Sequence, residues 1–144
     1  MVDIGKKEVV FREASVKGRI LLSPRTLKAM REGKVEKGDV LTVSKIAGLQ
    51  AAKLTSQLLP LCHQIPLNSV SVDLSIGKDS VEATSTVTTN YRTGVEMEAL
   101  VAVSVALLNV WDMVKRLEKN KQGQYPATRI TDIRVTQKTK QPAN

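Results

Sequence analysis

The chain has 144 residues, 42% of them hydrophobic and 25% charged, enough for one domain with its own core and ordinary for a globular protein. Lys and Arg number 22 against 14 Asp and Glu, a net charge of +8 that favours nucleotides, nucleic acid or anionic membranes without choosing among them. The single Cys excludes an intramolecular disulfide and a Cys-rich zinc or iron–sulfur site, aromatics at 3% leave the core to Val, Leu, Ile, Ala and Met, and no apolar run reaches the roughly 20 residues of a membrane span.

Residues 1–8 read as a loose lead-in, where Asp3, Lys6, Lys7 and Glu8 break up any apolar signal core, so a soluble cytoplasmic protein is expected. Val9 to Leu22 is β-branched with interspersed charge and predicts a strand, with Gly18 as its bending point. Ser23-Pro24 is a cap and a first-turn proline, and Gly33 ends the short helix they start. Asp39 caps a second helix in which Val40, Val43, Ala47, Leu54 and Leu58 recur at helical spacing until Pro60 stops it. Leu61–Pro66 is then a short loop between prolines. Val70, Val72, Leu74 and Ile76 alternate with polar residues, Gly77–Ser80 turns, and Val81, Ala83, Ser85 and Val87 alternate again: an antiparallel hairpin. Gly94 to about Lys119 predicts a helix of roughly 37 Å. It has no charge between Glu98 and Asp112, so it is buried on more than one side, and a second subunit is the expected cover. Gln122–Pro126 is a loop, Thr128–Val135 a last strand, and Gln137–Asn144 a polar tail. The order predicts an α+β fold close to the ferredoxin-like βαββαβ plan with an extra helix: an antiparallel sheet packed by helices on one face, in a single domain over residues 1–138 with 139–144 as tail.

The one His, one Cys and one Trp all lie in or beside segments where helices begin or end. Asp112 and Lys115, three apart, share a helix face that Lys119 extends; they are a surface ion pair or, if the apolar run before them buries Asp112, an acid–base pair with shifted pKa values. His63 in its loop is a general acid, a general base or an anion contact, or else a structural hydrogen-bonder. Metal binding is not expected, because no second His or Cys stands at ligand spacing. Cys62, with no other His beside it to activate it, reads as a buried spectator. Glu96 and Glu98 complement the helix dipole; as function, one carboxylate would accept N–H groups from a guanine-like or pterin-like edge. Lys37-Gly38-Asp39 before a helix N-terminus has the character of a weak phosphate site.

Taken together, the runs Lys37-Gly38-Asp39-Val40, Ile46-Ala47-Gly48-Leu49-Gln50-Ala51-Ala52-Lys53, Leu59-Pro60-Leu61-Cys62-His63, Thr93-Gly94-Val95-Glu96-Met97-Glu98-Ala99-Leu100 and Asp112-Met113-Val114-Lys115 closely resemble the cyclic pyranopterin monophosphate synthases, the molybdenum cofactor biosynthesis protein C family. The resemblance spans about residues 1–138. It implies a ferredoxin-like subunit, dimers assembled into a hexamer as a trimer of dimers, and an active site at a subunit interface. It implies conversion of 3′,8-cyclo-7,8-dihydro-GTP to cyclic pyranopterin monophosphate with release of pyrophosphate. It implies no redox cofactor; from the residues themselves no nucleic-acid or membrane partner is expected, and Mg²⁺ is left open, the sequence not indicating it. Residue by residue, Asp112 and Lys115 match the family's catalytic pair and Lys37 a catalytic or phosphate-contacting lysine. Leu61, Cys62 and His63 match one substrate-binding stretch and Met97 and Glu98 another, with Glu96 beside them. Arg12 and Lys53 match basic positions assigned to the triphosphate, and Lys138 a lysine after the last strand. There the chain departs: the family often has a glycine-rich Lys-Ser-Gly-Gly-Lys-like segment where this one reads Gln137-Lys138-Thr139-Lys140-Gln141. Gln64 also replaces a proline often found after the histidine.

The expected chemistry is proton transfer by Lys115 and Asp112, with the Lys115 pKa lowered, assisted by Lys37. Two rival readings are a basic RNA-binding module, which lacks aromatics along the hairpin for stacking, and a non-catalytic oligomeric scaffold.

Overall fold

The computed structural model describes residues 1–143. Its elements are β1 (Val10–Leu21), α1 (Pro24–Arg31), α2 (Val40–Lys53), α3 (Thr55–Leu58), β2 (Ser69–Ile76), β3 (Ser80–Tyr91), α4 (Glu96–Glu118) and β4 (Arg129–Pro142). The sheet runs β2-β3-β1-β4, and every neighbouring pair is antiparallel. This is the ferredoxin-like order: the helical crossover after β1 leaves a gap beside it, and the β2–β3 hairpin fills that gap.

Alternation decides which side of the sheet is dry. Ala14, Val16 and Ile20 of β1, Val72 of β2, and Val81, Ala83 and Val87 of β3 are buried against Ala99, Ala102, Val103, Ala106, Leu107, Val110 and Val114 of α4. The opposite face is wet and rich in hydroxyls, with Ser15 Oγ 2.9 Å from Thr86 Oγ1 and Ser69 Oγ 2.6 Å from Thr88 Oγ1. By alternation Phe11 is the one aromatic on that face among the described residues, so it offers no row for stacking bases.

Small residues bring α2 onto α4. A Cβ on Gly48 would lie 2.9 Å from the Ala102 carbonyl oxygen, and Asn109 Nδ2 donates to Ser44 Oγ at 3.0 Å. The pairs 44–109 and 48–102 run in opposite directions, so the C-terminal end of α2 lies beside the N-terminal end of α4. Away from the sheet the helices keep an apolar stripe exposed: Val43 and Ile46 on α2, Leu58 on α3, and Met97 and Leu108 on α4. Among the described residues α4 alone is long and apolar enough to cross a membrane; half of that run is buried within the fold, as in the core helix of a globular domain.

Four details differ from the sequence reading. The helix expected through Leu58 breaks at Leu54, whose N–H bonds to Ala51 one residue short of the helical partner, while the Thr55 hydroxyl donates to the Ala52 carbonyl at 2.9 Å and competes with the ladder. β3 starts at Ser80 and runs on to Tyr91. β4 continues to Pro142, so residues read as tail are strand. They are polar on both faces because they run beyond the helices, and β1 holds them through main-chain pairing as far as Val10 opposite Pro142. The expected irregularity at Gly18 falls on its partner strand. β4 bulges opposite Gly18, and Asp132 takes φ 59° there.

Candidate active site

The residues singled out from the sequence gather at the two ends of α4, about 21 Å apart from residue 98 to residue 112 at the helical rise.

At the N-terminal end, Glu96, Met97 and Glu98 face the turn carrying Leu61, Cys62 and His63 across a cleft of about 340 Å³. Both stretches expected to bind substrate therefore line one cleft. The helix opens without a side-chain cap, and its first-turn acids meet the positive end of the dipole. The two glutamates differ. Burial alone would raise Glu96, but Lys138 Nζ at 2.5 Å, its own backbone N–H and the charges of Lys138 and Arg12 outweigh that and hold it below the ordinary carboxylate value. Glu98 is only 4% exposed, and its Oε2 has no hydrogen-bond partner. Burial pushes its carboxyl up, and repulsion from Glu96 adds to this. A buried acceptor without a donor is where a ligand's N–H would be most strongly held.

Lys138 thus sits at the cleft end, on the strand that replaced the expected tail. Arg12 lies beside it, its Nη2 donating to the Arg92 carbonyl at 3.4 Å and its Nε buried without a partner. Lys53 ends α2, exposed at the same end by the antiparallel α2–α4 pairing. Cys62 is half-buried and lines the cleft, rather than being a buried spectator, because its turn lies at the surface. His63 Nε2 lies 2.7 Å from the carbonyl oxygen of Val2. Val2, Ile4, Lys7 and Thr93 also line the cleft and were not legible as site residues; Val2 and Ile4 carry no chemical signal, and Lys7 looked like one surface lysine among many.

At the C-terminal end, Asp112 is held between two ammonium groups. Lys37 Nζ lies 2.8 Å from Oδ2 and donates to the Asp112 carbonyl at 3.1 Å; Lys115 Nζ lies 3.0 Å from Oδ1. Lys37 is aimed there by the turn before α2, where Gly38 takes φ 110°. Asp39 caps α2 by accepting from the Thr42 N–H at 3.1 Å and hydroxyl at 2.8 Å, so this helix start is already occupied by a carboxylate rather than open to phosphate. Trp111 meets Tyr125 edge-to-face at 5.3 Å, and Lys119 Nζ lies 6.0 Å from the Tyr125 centroid.

Two expectations fail here. Asp112 is not buried: its side chain is 53% exposed and that of Lys115 is 41% exposed. The Lys115 pKa is raised, not lowered, because the Asp112 hydrogen bond and charge outweigh the slight desolvation. Hydrogen bonds from Lys37 and Lys115 correspondingly hold Asp112 low. In one copy of the chain the three groups are an ion cluster facing solvent. No group of three or more His, Cys, Asp or Glu able to hold a metal ion occurs among the described residues.

The family model of the MoaC family matches residues 1–141. A Pyrococcus abyssi protein is 58% identical over 140 residues, covering 97% of this chain and 88% of the relative. One from Thermococcus kodakarensis is 55% identical over 140 residues (97% and 90%), and one from Saccharolobus solfataricus 53% over 141 residues (98% and 95%). All three are named probable cyclic pyranopterin monophosphate synthase. The chain belongs to the MoaC family.

Proposed function

We propose that this member of the MoaC family converts 3′,8-cyclo-7,8-dihydro-GTP to cyclic pyranopterin monophosphate and pyrophosphate, a step of molybdenum cofactor biosynthesis in the cytoplasm. The carrying observation is the division of binding and acid–base groups between the two ends of α4, in a family whose curated relatives bear the name of that synthase.

The split supports a site shared between two copies. Met97, Val101, Val105, Leu108, Asp112 and Lys115 recur at helical spacing along the outer side of α4. A two-fold axis crossing α4 near Val105 places residue 98 of one copy beside residue 112 of the other. It covers the apolar stripe and completes two identical sites per pair. Three such pairs make the proposed hexamer. No nucleic acid, membrane or redox cofactor enters this reading.

In such a site Glu98 accepts N–H groups from the guanine-derived edge. Lys115, kept protonated by Asp112, donates protons during ring opening and rebuilding, and Asp112 receives them. Cyclisation forms a bond from a sugar hydroxyl oxygen to the α-phosphorus and breaks the bond from that phosphorus to the bridging oxygen. The hydroxyl proton passes to the base, and pyrophosphate leaves with the bonding pair. Lys37, Arg12, Lys53 and Lys138 neutralise the charge that develops on the phosphates.

The test is incubation with 3′,8-cyclo-7,8-dihydro-GTP under anaerobic conditions, followed by phosphorus NMR and mass spectrometry. A cyclic phosphodiester pterin plus pyrophosphate is expected. Unchanged substrate from a folded oligomer that binds it overturns the reading in favour of a non-catalytic scaffold.

A further inference from the structure

The N-terminal segment is tied across the cleft rather than loose. Val2 and Ile4 form part of the cleft wall and Lys7 part of its rim. The Val2 carbonyl oxygen lies 2.7 Å from His63 Nε2, and the Lys7 carbonyl accepts from Arg92 Nε at 3.1 Å. Between these ties the segment folds on itself: Gly5 N–H donates to Asp3 Oδ1 at 2.8 Å and Lys7 N–H to the Ile4 carbonyl at 3.1 Å. Met1 and Val2 are 76% and 72% exposed, so main-chain hydrogen bonds, not apolar burial, hold the segment in place. A carbonyl oxygen can only accept, so the His63 Nε2 it meets carries the proton. In neutral imidazole that leaves the lone pair on Nδ1.

We propose that residues 1–7 are a strap that closes one side of the cleft and sets His63 as the Nε2–H tautomer, leaving Nδ1 as the ring nitrogen available to a ligand. The inference rests on the reading of the cleft as the substrate site. The strap acts through His63 and touches no reacting atom, so its residues are positioning residues. Two consequences follow from the geometry. A ligand in the cleft meets an acceptor at His63, suited to an O–H or N–H of the substrate, and the ring cannot turn over without breaking the bond to Val2.

His63 is the only histidine in the chain, so protein labelled with ¹⁵N-histidine gives one pair of ring signals. The full-length oligomer without substrate is expected to show a protonated, pyrrole-type Nε2 and a pyridine-type Nδ1. Deleting residues 1–4 should average the two tautomers and lower kcat/KM about tenfold, a small part of what a general acid or base contributes. Arg92→Ala, which keeps Val2 but frees the Lys7 carbonyl, should shift both readouts the same way by less. An Nδ1–H tautomer in the full chain overturns the proposal. So does a deletion variant that keeps both the ring signals and kcat/KM. The ring signals need no turnover, so a failure of the substrate assignment leaves them unchanged, and a failure of the strap shows in them directly.

Discussion

The two ends of α4 carry comparable numbers of charged groups and use them in opposite ways. At the N-terminal end a carboxylate, Glu98, is buried with its Oε2 unpartnered, walls surround it, and burial pushes its carboxyl up. At the C-terminal end a carboxylate, Asp112, is half-exposed, doubly paired and held low. An unpaired buried acceptor is poised to recognise a ligand; a solvated ion cluster is not yet poised to do chemistry. On the proposed reading the first end is the binding half and the second carries the acid–base groups. In the pairing proposed above, the second copy supplies the cover that this ion cluster lacks.

The largest effect should come from Lys115→Ala. Removing the proton donor is expected to lower kcat by about 10²–10⁴-fold with the oligomer intact, as size-exclusion chromatography with light scattering would report. Wild-type turnover in that variant removes Lys115 from the mechanism. Mixing it, after unfolding and refolding together, with an inactive Glu98→Arg variant tests the division itself. If each site takes one end from each copy, random pairing restores about a quarter of the sites. No recovery would mean that both ends serve the same copy.

A second test reads the ion cluster by pH. The Asp112 pKa lies below its ordinary 3.8 and the Lys115 pKa above its ordinary 10.5, so the pair stays charged between those values. The pH profile of kcat should then show no limb from this pair across the neutral range. An alkaline limb at about pH 7–8 would show instead that covering by the second copy lowers Lys115, as catalytic lysines often require.

Glu98→Gln separates binding from stability at the other end. KM should rise about tenfold, the loss expected when a charge-assisted hydrogen bond becomes a neutral one. Stability at neutral pH should rise by about 1 kcal/mol, because a buried charge with an unpartnered oxygen is removed. The sign follows from the raised pKa. The folded chain binds this proton more tightly, so ionisation costs stability as pH climbs from the ordinary 4.5 through the folded value. A variant that loses both binding and stability would mean that Glu98 holds the helix start rather than the substrate.

The difference between the ends also explains what could be read from the sequence. The caps Ser23 and Asp39, the alternating β2–β3 hairpin and the uncharged run of α4 are local patterns, and each became the element expected. The motifs around Leu61–His63 and Glu96–Glu98 lie far apart in the chain, and the fold brought them to one cleft. That Lys37 pairs with Asp112 while both stay far from that cleft is invisible to spacing, since a motif along the chain carries no distance. The strap was missed because its ties are main-chain carbonyls reaching His63 and Arg92, and any sequence supplies carbonyls. The outer half of β4 was missed because a strand wet on both faces has no alternation to see.

The smallest effect concerns what keeps the C-terminal end of α4 in register. Glu118, one turn past Lys115, is buried, and its carboxylate accepts from the Ser23 N–H at 3.2 Å, the Ser23 hydroxyl at 2.6 Å and the Thr128 hydroxyl at 2.7 Å, with the Thr26 hydroxyl as a further donor. Burial would raise this carboxyl, but those donors outweigh it and hold it below the ordinary 4.5. One carboxylate thereby joins the start of α1, the residue before β4 and the end of α4. Glu118→Gln keeps the shape and removes the charge, so a loss of about 1–2 kcal/mol is expected in denaturant unfolding at pH 7. The sign of the pH dependence is fixed by the lowered pKa. The contribution is complete above 4.5 and fades as pH falls through the folded value, so wild type and variant should converge in acid. If Lys115 and Asp112 depend on this clip for their place, kcat falls in the variant while KM holds. A variant that loses stability alone would show that the Asp112–Lys115 pair keeps its place without this clip.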